Sequence, residues 1–310
     1  MMEPALIGRP ERVRSVRAEP SRAVGRTRRS ARRAGTGVAP YPEHMIRICF
    51  SGVTGWAASA IVAGIEASAD LVLVSGVSRS AAGRPIAEAV GGTASGQVYA
   101  SVAEALAAEP ADVVVDYTSA AAVKQNAFAA VRGGAHVVIG SSGLSAEDYA
   151  ELDEAARDHE VGVIAAGNFS VMAAVLQKAA ALAAEHLDRW EIIDYASVSK
   201  PDVPSGTARE LAERLGAIRR PVPAVPLGDL QGPVEARGTE VGGARVHSVR
   251  LPSYVVSTEI VFGGAGERLV MKHDAGPDPA PYVDGTLLAV RHVGDAVGVR
   301  RGLDTLLFGD

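Results

Sequence analysis

Four places in the chain combine residue types at spacings that can do chemistry. The first is Gly52-Val-Thr54-Gly55-Trp56-Ala-Ala58, a glycine turn between an apolar run and a helix start. Glycine permits the tight turn and lets backbone N–H groups approach a pyrophosphate, whose charge a helix N-terminus stabilises. Turns that bind nothing share this spacing, so its position at the first strand-to-helix turn of an expected parallel sheet is what points to a dinucleotide. The second is Gly76-Val-Ser78-Arg79-Ser80, ending the next expected strand. It lacks the carboxylate that would accept from a ribose 2′-hydroxyl, and Arg79 suits a 2′-phosphate instead. NADPH is thereby favoured over NADH, the alternative being an exposed arginine on a solvated loop.

The third place is a pair of turns, Asp116-Tyr-Thr118 and Gly140-Ser-Ser142-Gly143, at the carboxyl ends of two more strands. Open α/β sheets bind ligands at that edge, and small residues there let a flat nicotinamide ring approach the backbone. The fourth is Lys200-Pro-Asp-Val-Pro204-Ser205-Gly206-Thr207-Ala208. Pro204 precedes a helix whose first N–H groups, with the hydroxyls of Ser205 and Thr207, form an anion site, and Lys200 adds a point charge. A capped helix beside a solvated lysine would read the same way.

The elements that must position these groups alternate. Strands are expected at Ile46 to Ser51, Leu71 to Val77, Val113 to Tyr117, His136 to Gly140 and Val161 to Ala165. Helices are expected between them at Trp56 to Ala67, Val102 to Ala108, Ala120 to Arg132 and Ala146 to His159, the last capped by Ser145 with Asp148 three residues on. Strands that are apolar throughout, alternating with helices, indicate a doubly wound parallel sheet covered on both faces. After Phe169 the rhythm becomes α+β: a helix at Val171 to His186, a strand at Trp190 to Val198, a helix at Thr207 to Gly216 and a Pro-rich connection. Three strands follow, at Arg245 to Leu251, Tyr254 to Phe262 and Arg268 to His273. A final helix, Val283 to Val293, is apolar enough to return and pack on the first sheet.

Composition narrows the function classes. With 310 residues, 47% hydrophobic and 22% charged, the chain is long enough for two modest domains and too apolar for general disorder. No run reaches the ~18 apolar residues of a membrane span. The lone Cys49 sits inside an apolar run and reads as a core residue, which suits a reducing, cytoplasmic setting. Residues 1–44 carry ten Arg against four Glu and no apolar period, and are expected to be a disordered basic leader, with Met45 a plausible true start. The remainder is mildly acidic, no His/Cys/Asp cluster is spaced as a metal site, and neither nucleic acid nor membrane is expected as a partner.

Taken with Asn168-Phe169-Ser170, His247-Ser-Val-Arg-Leu-Pro252 and Phe262-Gly-Gly-Ala-Gly-Glu267, these turns resemble the 4-hydroxy-tetrahydrodipicolinate reductase (dihydrodipicolinate reductase) family of bacterial lysine biosynthesis, from Met45 to the C-terminus. The resemblance implies a Rossmann domain, residues 45–168 with 284–310, and a substrate-binding domain, residues 169–283, whose mixed sheet assembles a homotetramer. It also implies hydride transfer from NAD(P)H to a cyclic dicarboxylate, saturating its ring. Carried over by position, Gly52, Thr54 and Gly55 hold the pyrophosphate, and Ser78 and Arg79 sit by the adenosine ribose. Thr118, Gly140 and Ser142 lie beside the nicotinamide, with the backbone of Asn168 and Phe169 near its carboxamide. Lys200 corresponds to the active-site lysine, and Ser205, Gly206 and Thr207 to the carboxylate cradle.

The chain departs from the family pattern in three places. Ala196 and Ser197 occupy the positions of a histidine pair, and alanine can neither transfer a proton nor donate to a carboxylate. The stretch His273 to Tyr282 is proline-rich where the family has an arginine, and Trp56 replaces an arginine in the cofactor turn. The expectation is a reductase of a cyclic imine or unsaturated ring carboxylate in specialised metabolism, with Lys200 or Tyr195 supplying the proton that remains. Two other readings stand beside it: the ordinary lysine-pathway reductase, and a non-catalytic NADPH-binding sensor or partner protein. His247 and His273 are expected in core or interface roles.

Overall fold

The structure is a computed structural model and describes residues 45–223 and 225–309. The expected basic leader lies outside the described residues. The chain builds β1 (Ile46–Ser51), α1 (Ala58–Glu66), β2 (Leu71–Val77), α2 (Ile86–Val90), β3 (Gln97–Tyr99), α3 (Val102–Ala108) and β4 (Val113–Asp116). It continues with α4 (Val123–Arg132), β5 (His136–Ile139), α5 (Ala146–Asp158), β6 (Gly162–Ala165), α6 (Val171–His186) and β7 (Trp190–Ala196). Then come α7 (Gly206–Ile218), β8 (Thr239–Val241), β9 (Ala244–Arg250), β10 (Val256–Gly263) and β11 (Arg268–Ala275). The last elements are α8 (Val283–His292), β12 (Gly298–Arg301) and α9 (Asp304–Phe308).

Seven strands form one parallel sheet in the order β12-β6-β5-β4-β1-β2-β3. From β1 the chain moves outward through β2 and β3, then returns to the other side of β1 for β4, β5 and β6. A crevice opens at such a reversal, outside the carboxyl ends of the strands. Register brings those ends level, since Ser51 pairs with Asp116, Asp116 with Ile139, and Ile139 with Ala165. The turns after β1, β4, β5 and β6 therefore stand side by side.

Apolar clusters cover both faces, as continuous hydrophobic strands require. One joins Ile48 and Phe50 to Ile61, Ile65, Leu287 and Val290, so α8 does pack beside α1 on the first sheet. The other joins Val114 and Val137 to Ala127, Ala130 and Leu152. Cys49 lies in this second layer, and desolvation pushes its thiol up to about 11, as expected of a core residue. On α5, Ser145 and Asp148 make the reciprocal capping box. Among the described residues no helix is long and apolar enough to cross a membrane.

A second sheet has the order β11-β10-β7-β9-β8, in which β7 and β9 are parallel and the other pairs antiparallel. Along β7 burial alternates strictly: Trp190, Ile192, Asp194 and Ala196 face inward against α6 and α7, while Glu191, Ile193 and Tyr195 face the other side.

Several boundaries shift from expectation. Helix α1 begins at Ala58 rather than Trp56, because residues 52–57 stay in turns, and α4 begins at Val123 rather than Ala120. The short β3, β8 and β12, with α2 and α9, were not anticipated. Three- and four-residue strands carry too little periodicity to be read, and form because a neighbouring edge offers them hydrogen bonds.

Candidate active site

Two adjoining clefts run along the carboxyl edge of the parallel sheet. The outer one, about 580 Å³, is lined by Gly52, Thr54, Gly55, Ser78, Arg79 and Thr118 among others. Gly52 has φ +89°, and a Cβ there would stand 2.3 Å from the Tyr117 carbonyl oxygen, so only glycine lets the turn lie this close to its neighbour. Gly52 and Val53 spend their N–H groups on Val77 O, and Gly55 donates to Gly52 O. The N–H groups of Thr54, Trp56 and Ala57 have no protein partner among the described residues and stand before α1. That arrangement fits a pyrophosphate. Thr54 and Ser78 are linked through their hydroxyls at 3.0 Å, and no carboxylate lines this cleft, where Arg79 is the one cation among the described residues.

The inner cleft, about 380 Å³, shares Gly55, Tyr117 and Thr118 with the outer one and adds Trp56, Gly140, Ser142, Gly167, Lys200 and the 205–207 turn. Its floor is a network around the fully buried Asp116. That carboxylate accepts from Ser141 Oγ at 2.6 Å, Thr118 Oγ1 at 2.7 Å and Asn126 Nδ2 at 2.9 Å, tying the two turns together. A Cβ on Gly140 would meet the Tyr117 ring at 2.3 Å. Tyr117 is half-buried, with its hydroxyl on Thr286 at 2.7 Å, and desolvation raises its pKa.

On the far side, Ser205 caps the 13-residue helix α7. Its N–H and Oγ both donate to Asp194, at 2.8 and 2.6 Å, and Thr207 Oγ1 donates to Gly167 O at 2.9 Å. The two hydroxyls expected to hold an anion are thus committed to the protein. The N–H groups of Gly206 and Thr207 have no protein partners among the described residues and are open to an anion. Lys200 Nζ stands in the same cleft, steadied by Asp202 Oδ1 at 3.1 Å.

Comparison with known proteins agrees. Residues 46–169 match the family dihydrodipicolinate reductase, N-terminus, and residues 169–307 match dihydrodipicolinate reductase, C-terminus. The chain belongs to the dihydrodipicolinate reductase family. It is an NAD(P)H-dependent oxidoreductase of that type. It is 36% identical to 4-hydroxy-tetrahydrodipicolinate reductase of Moorella thermoacetica over 264 residues, 84% of this chain and 98% of the relative. It is 33% identical to the enzyme of the same name from Thermosynechococcus vestitus, over 84% of this chain and 97% of that one. Among solved structures it is similar to dipicolinate-bound dihydrodipicolinate reductase from Paenisporosarcina sp. TG-14, with TM-score 0.67 and 25% identity over 84% of this chain and 99% of that one. An amine dehydrogenase from Mycobacterium smegmatis, 17% identical with TM-score 0.57 over 84% of this chain and 95% of that one, shares the fold alone.

One expectation needs correction, and the structure places two others more closely. Tyr195 does not reach the cleft. It points to the opposite face of β7 from Asp194 and Ala196, where its hydroxyl meets Glu259 at 3.1 Å and its ring stacks on Tyr254 at 4.9 Å. Adjacent strand residues point to opposite faces, so Tyr195 cannot share a face with the neighbouring Asp194 or Ala196. The side chains of Asn168 and Phe169, of which only the backbone was expected near the nicotinamide, are buried, and the adjacent Gly167 lines the cleft. Trp56, instead of meeting a cofactor phosphate as an arginine would, donates its indole N–H to Pro277 O at 3.1 Å and meets Tyr282 edge-on.

No imidazole lines the inner cleft among the described residues. His247 pairs with Glu191 at 2.7 Å on the face opposite α6 and α7, and His273 is buried against Ser170, with burial lowering its pKa. Asp194 is the residue that sequence reasoning missed. Fully buried, it also accepts from Arg250 Nη2 at 2.8 Å and Ser248 Oγ at 3.2 Å, and it holds the 205–207 turn in place. The available signal was its inward phase in the alternation of β7.

Proposed function

We propose that this reductase uses NADPH, bound across the two clefts, to reduce a cyclic imine or unsaturated ring that carries a carboxylate. The observation behind this reading is that one cleft contains both the glycine turns of the parallel sheet and the Lys200, Gly206 and Thr207 anion site. The turn of Gly52, Thr54 and Gly55, with the backbone N–H of Trp56, would hold the pyrophosphate side, Ser78 and Arg79 the adenosine side, and Thr118, Gly140 and Ser142 the nicotinamide. The cofactor, when bound, supplies the hydride. Lys200 and the α7 amides orient the acceptor by its carboxylate, and the walls keep water from the ring.

The proton is the harder half of the reaction. Ala196 is buried at the position of a family histidine and offers none. An imine nitrogen basic enough to arrive protonated needs little from the protein, and the Lys200 ammonium supplies what remains. Residues 45–168 with 284–310 are assigned to the dinucleotide and residues 169–283 to substrate and assembly. A homotetramer would join through the outer face of the second sheet, where Val270 is exposed beside Val261. A cytoplasmic location suits the single buried thiol.

A second reading is the 4-hydroxy-tetrahydrodipicolinate reductase of lysine synthesis itself, favoured by the 33–36% identity along nearly the whole length of the relatives. Steady-state NADPH oxidation separates the two. With freshly generated dipicolinate precursor, the proposal expects a rate about 10²- to 10⁴-fold below that of a histidine-bearing relative, and turnover on cyclic imino acids. A rate equal to the relative's refutes the proposal and establishes the second reading.

A further inference from the structure

Resting on that reading, we infer that Tyr282 is the catalytic acid, giving its phenolic proton to the ring nitrogen of an imine that arrives neutral. A protonated imine asks little of the protein, but a neutral one needs a whole proton as the hydride reaches its carbon. Among the described residues, the ionisable side chains that line the inner cleft are Lys200, Tyr117 and Tyr282. Lys200 faces Asp202 Oδ1 at 3.1 Å and would face the acceptor's carboxylate as well, and each anion holds the proton on the ammonium. The Tyr117 hydroxyl is tied to Thr286 at 2.7 Å. Those of Thr118, Ser141, Ser205 and Thr207 donate to the protein, and that of Ser142, an alcohol, is a far weaker acid than a phenol.

The structure holds the Tyr282 ring and leaves its hydroxyl open. The residue closes the short helical turn Ala280–Tyr282 before α8, where its carbonyl accepts from Thr286 Oγ1 at 2.7 Å. Its ring meets Trp56 edge-on with centroids 5.7 Å apart, and Trp56 is anchored in turn on Pro277 O. Among the described residues the Tyr282 hydroxyl donates to no protein acceptor, nor is it sealed from solvent. Asn168 supplies a counterpart: its Oδ1 accepts from Ser170 N at 2.8 Å, and its Nδ2 is buried without a partner. Burial raises the Tyr282 pKa, which keeps the phenol in its donor form at neutral pH, while the Asn168 side chain acts the other way and favours the phenolate that proton transfer leaves behind.

In the step, the imine carbon accepts the hydride with its two electrons and the C=N π pair moves onto nitrogen. Nitrogen bonds the proton as the Tyr282 O–H bond breaks. The products are the amine, the oxidised dinucleotide and a phenolate that water reprotonates. Transfer runs downhill because a nitrogen carrying the displaced pair is a far stronger base than a phenolate.

The test compares the full chain with Tyr282→Phe, which keeps the ring against Trp56 and removes only the hydroxyl. NADPH oxidation is followed with piperideine-2-carboxylate, a cyclic imine, at pH values on both sides of the imine's own titration. Tyr282→Phe should lower kcat about 10²- to 10⁴-fold where the imine is neutral, lose far less where it is protonated, and leave KM within about 3-fold. Picolinate, a pyridine with one carboxylate, is titrated calorimetrically into both chains saturated with NADPH and should bind them equally. A kcat that Tyr282→Phe does not change, or a loss of one size at every pH, overturns the inference and leaves the reading of the cleft standing. A fall in picolinate affinity equal to the fall in rate makes Tyr282 a binding group and overturns the inference too. A wild-type chain that does not oxidise NADPH with the imine overturns the reading and the inference together.

Discussion

Replacing Asp194 by alanine tests whether the site is held from behind. In the native structure the carboxylate accepts from Ser205 N and Oγ at 2.8 and 2.6 Å, from Arg250 at 2.8 Å and from Ser248 at 3.2 Å. The variant strips Arg250 of its counter-ion inside the protein, and breaking a buried pair by removing one partner costs about 3–5 kcal/mol. Arg250 keeps hydrogen bonds to the carbonyls of Val249, Asp194 and Asp202, so the lower half of that range is expected. At about 2–4 °C per kcal/mol for a chain of this size, the melting temperature should fall by roughly 6–16 °C. Asp194→Asn, which retains an acceptor for Ser205, should lose about half as much. Differential scanning calorimetry measures the shift, and picolinate titration reads the displaced Gly206 and Thr207 amides in the same protein. A fall below about 2 °C, or unchanged picolinate affinity, would refute the claim that this carboxylate organises the turn.

Other consequences are as direct. Gly52→Ala forces a side chain into a left-handed backbone and against Tyr117 O, and should cost about 1–3 kcal/mol while weakening NADPH in a fluorescence titration; normal NADPH affinity would count against the pyrophosphate site. Arg79→Ala should reduce NADPH affinity roughly 10–100-fold and leave NADH unchanged, and equal losses for both would remove the 2′-phosphate role. Burial raises the Glu210 carboxyl above its ordinary 4.5, so the folded chain holds that proton more tightly than the unfolded one. Its contribution to stability is therefore full below the ordinary value and is lost as pH rises from there to the folded one. In Glu210→Gln the urea midpoint should lack this decline, whereas curves parallel to wild type across that rise would disprove it.

Much of the fold could be read from local pattern. Apolar runs such as Val113 to Val115, the Ser145 and Asp148 box and the glycines of the first turn each carry their meaning within a few residues, because strand burial, capping and backbone sterics are short-range effects. The glycine turn and the Lys200 and helix-entry segment, to which cofactor and anion are proposed to bind, lay in that same local code. Other features belong to contacts between residues far apart in sequence. That the Ser205 and Thr207 hydroxyls serve Asp194 and Gly167 rather than a ligand depends on pairs 11 and 40 residues apart. The Trp56 indole closing on Pro277 spans 221 residues. Tyr195 looked like a neighbour of Lys200, but strand geometry turned it away, because successive side chains leave a strand on opposite faces. Residue type and spacing decided which groups are present and what each can donate or accept. Tertiary packing decided which donors remain free, since a hydrogen bond once given inside the protein is no longer available to a ligand.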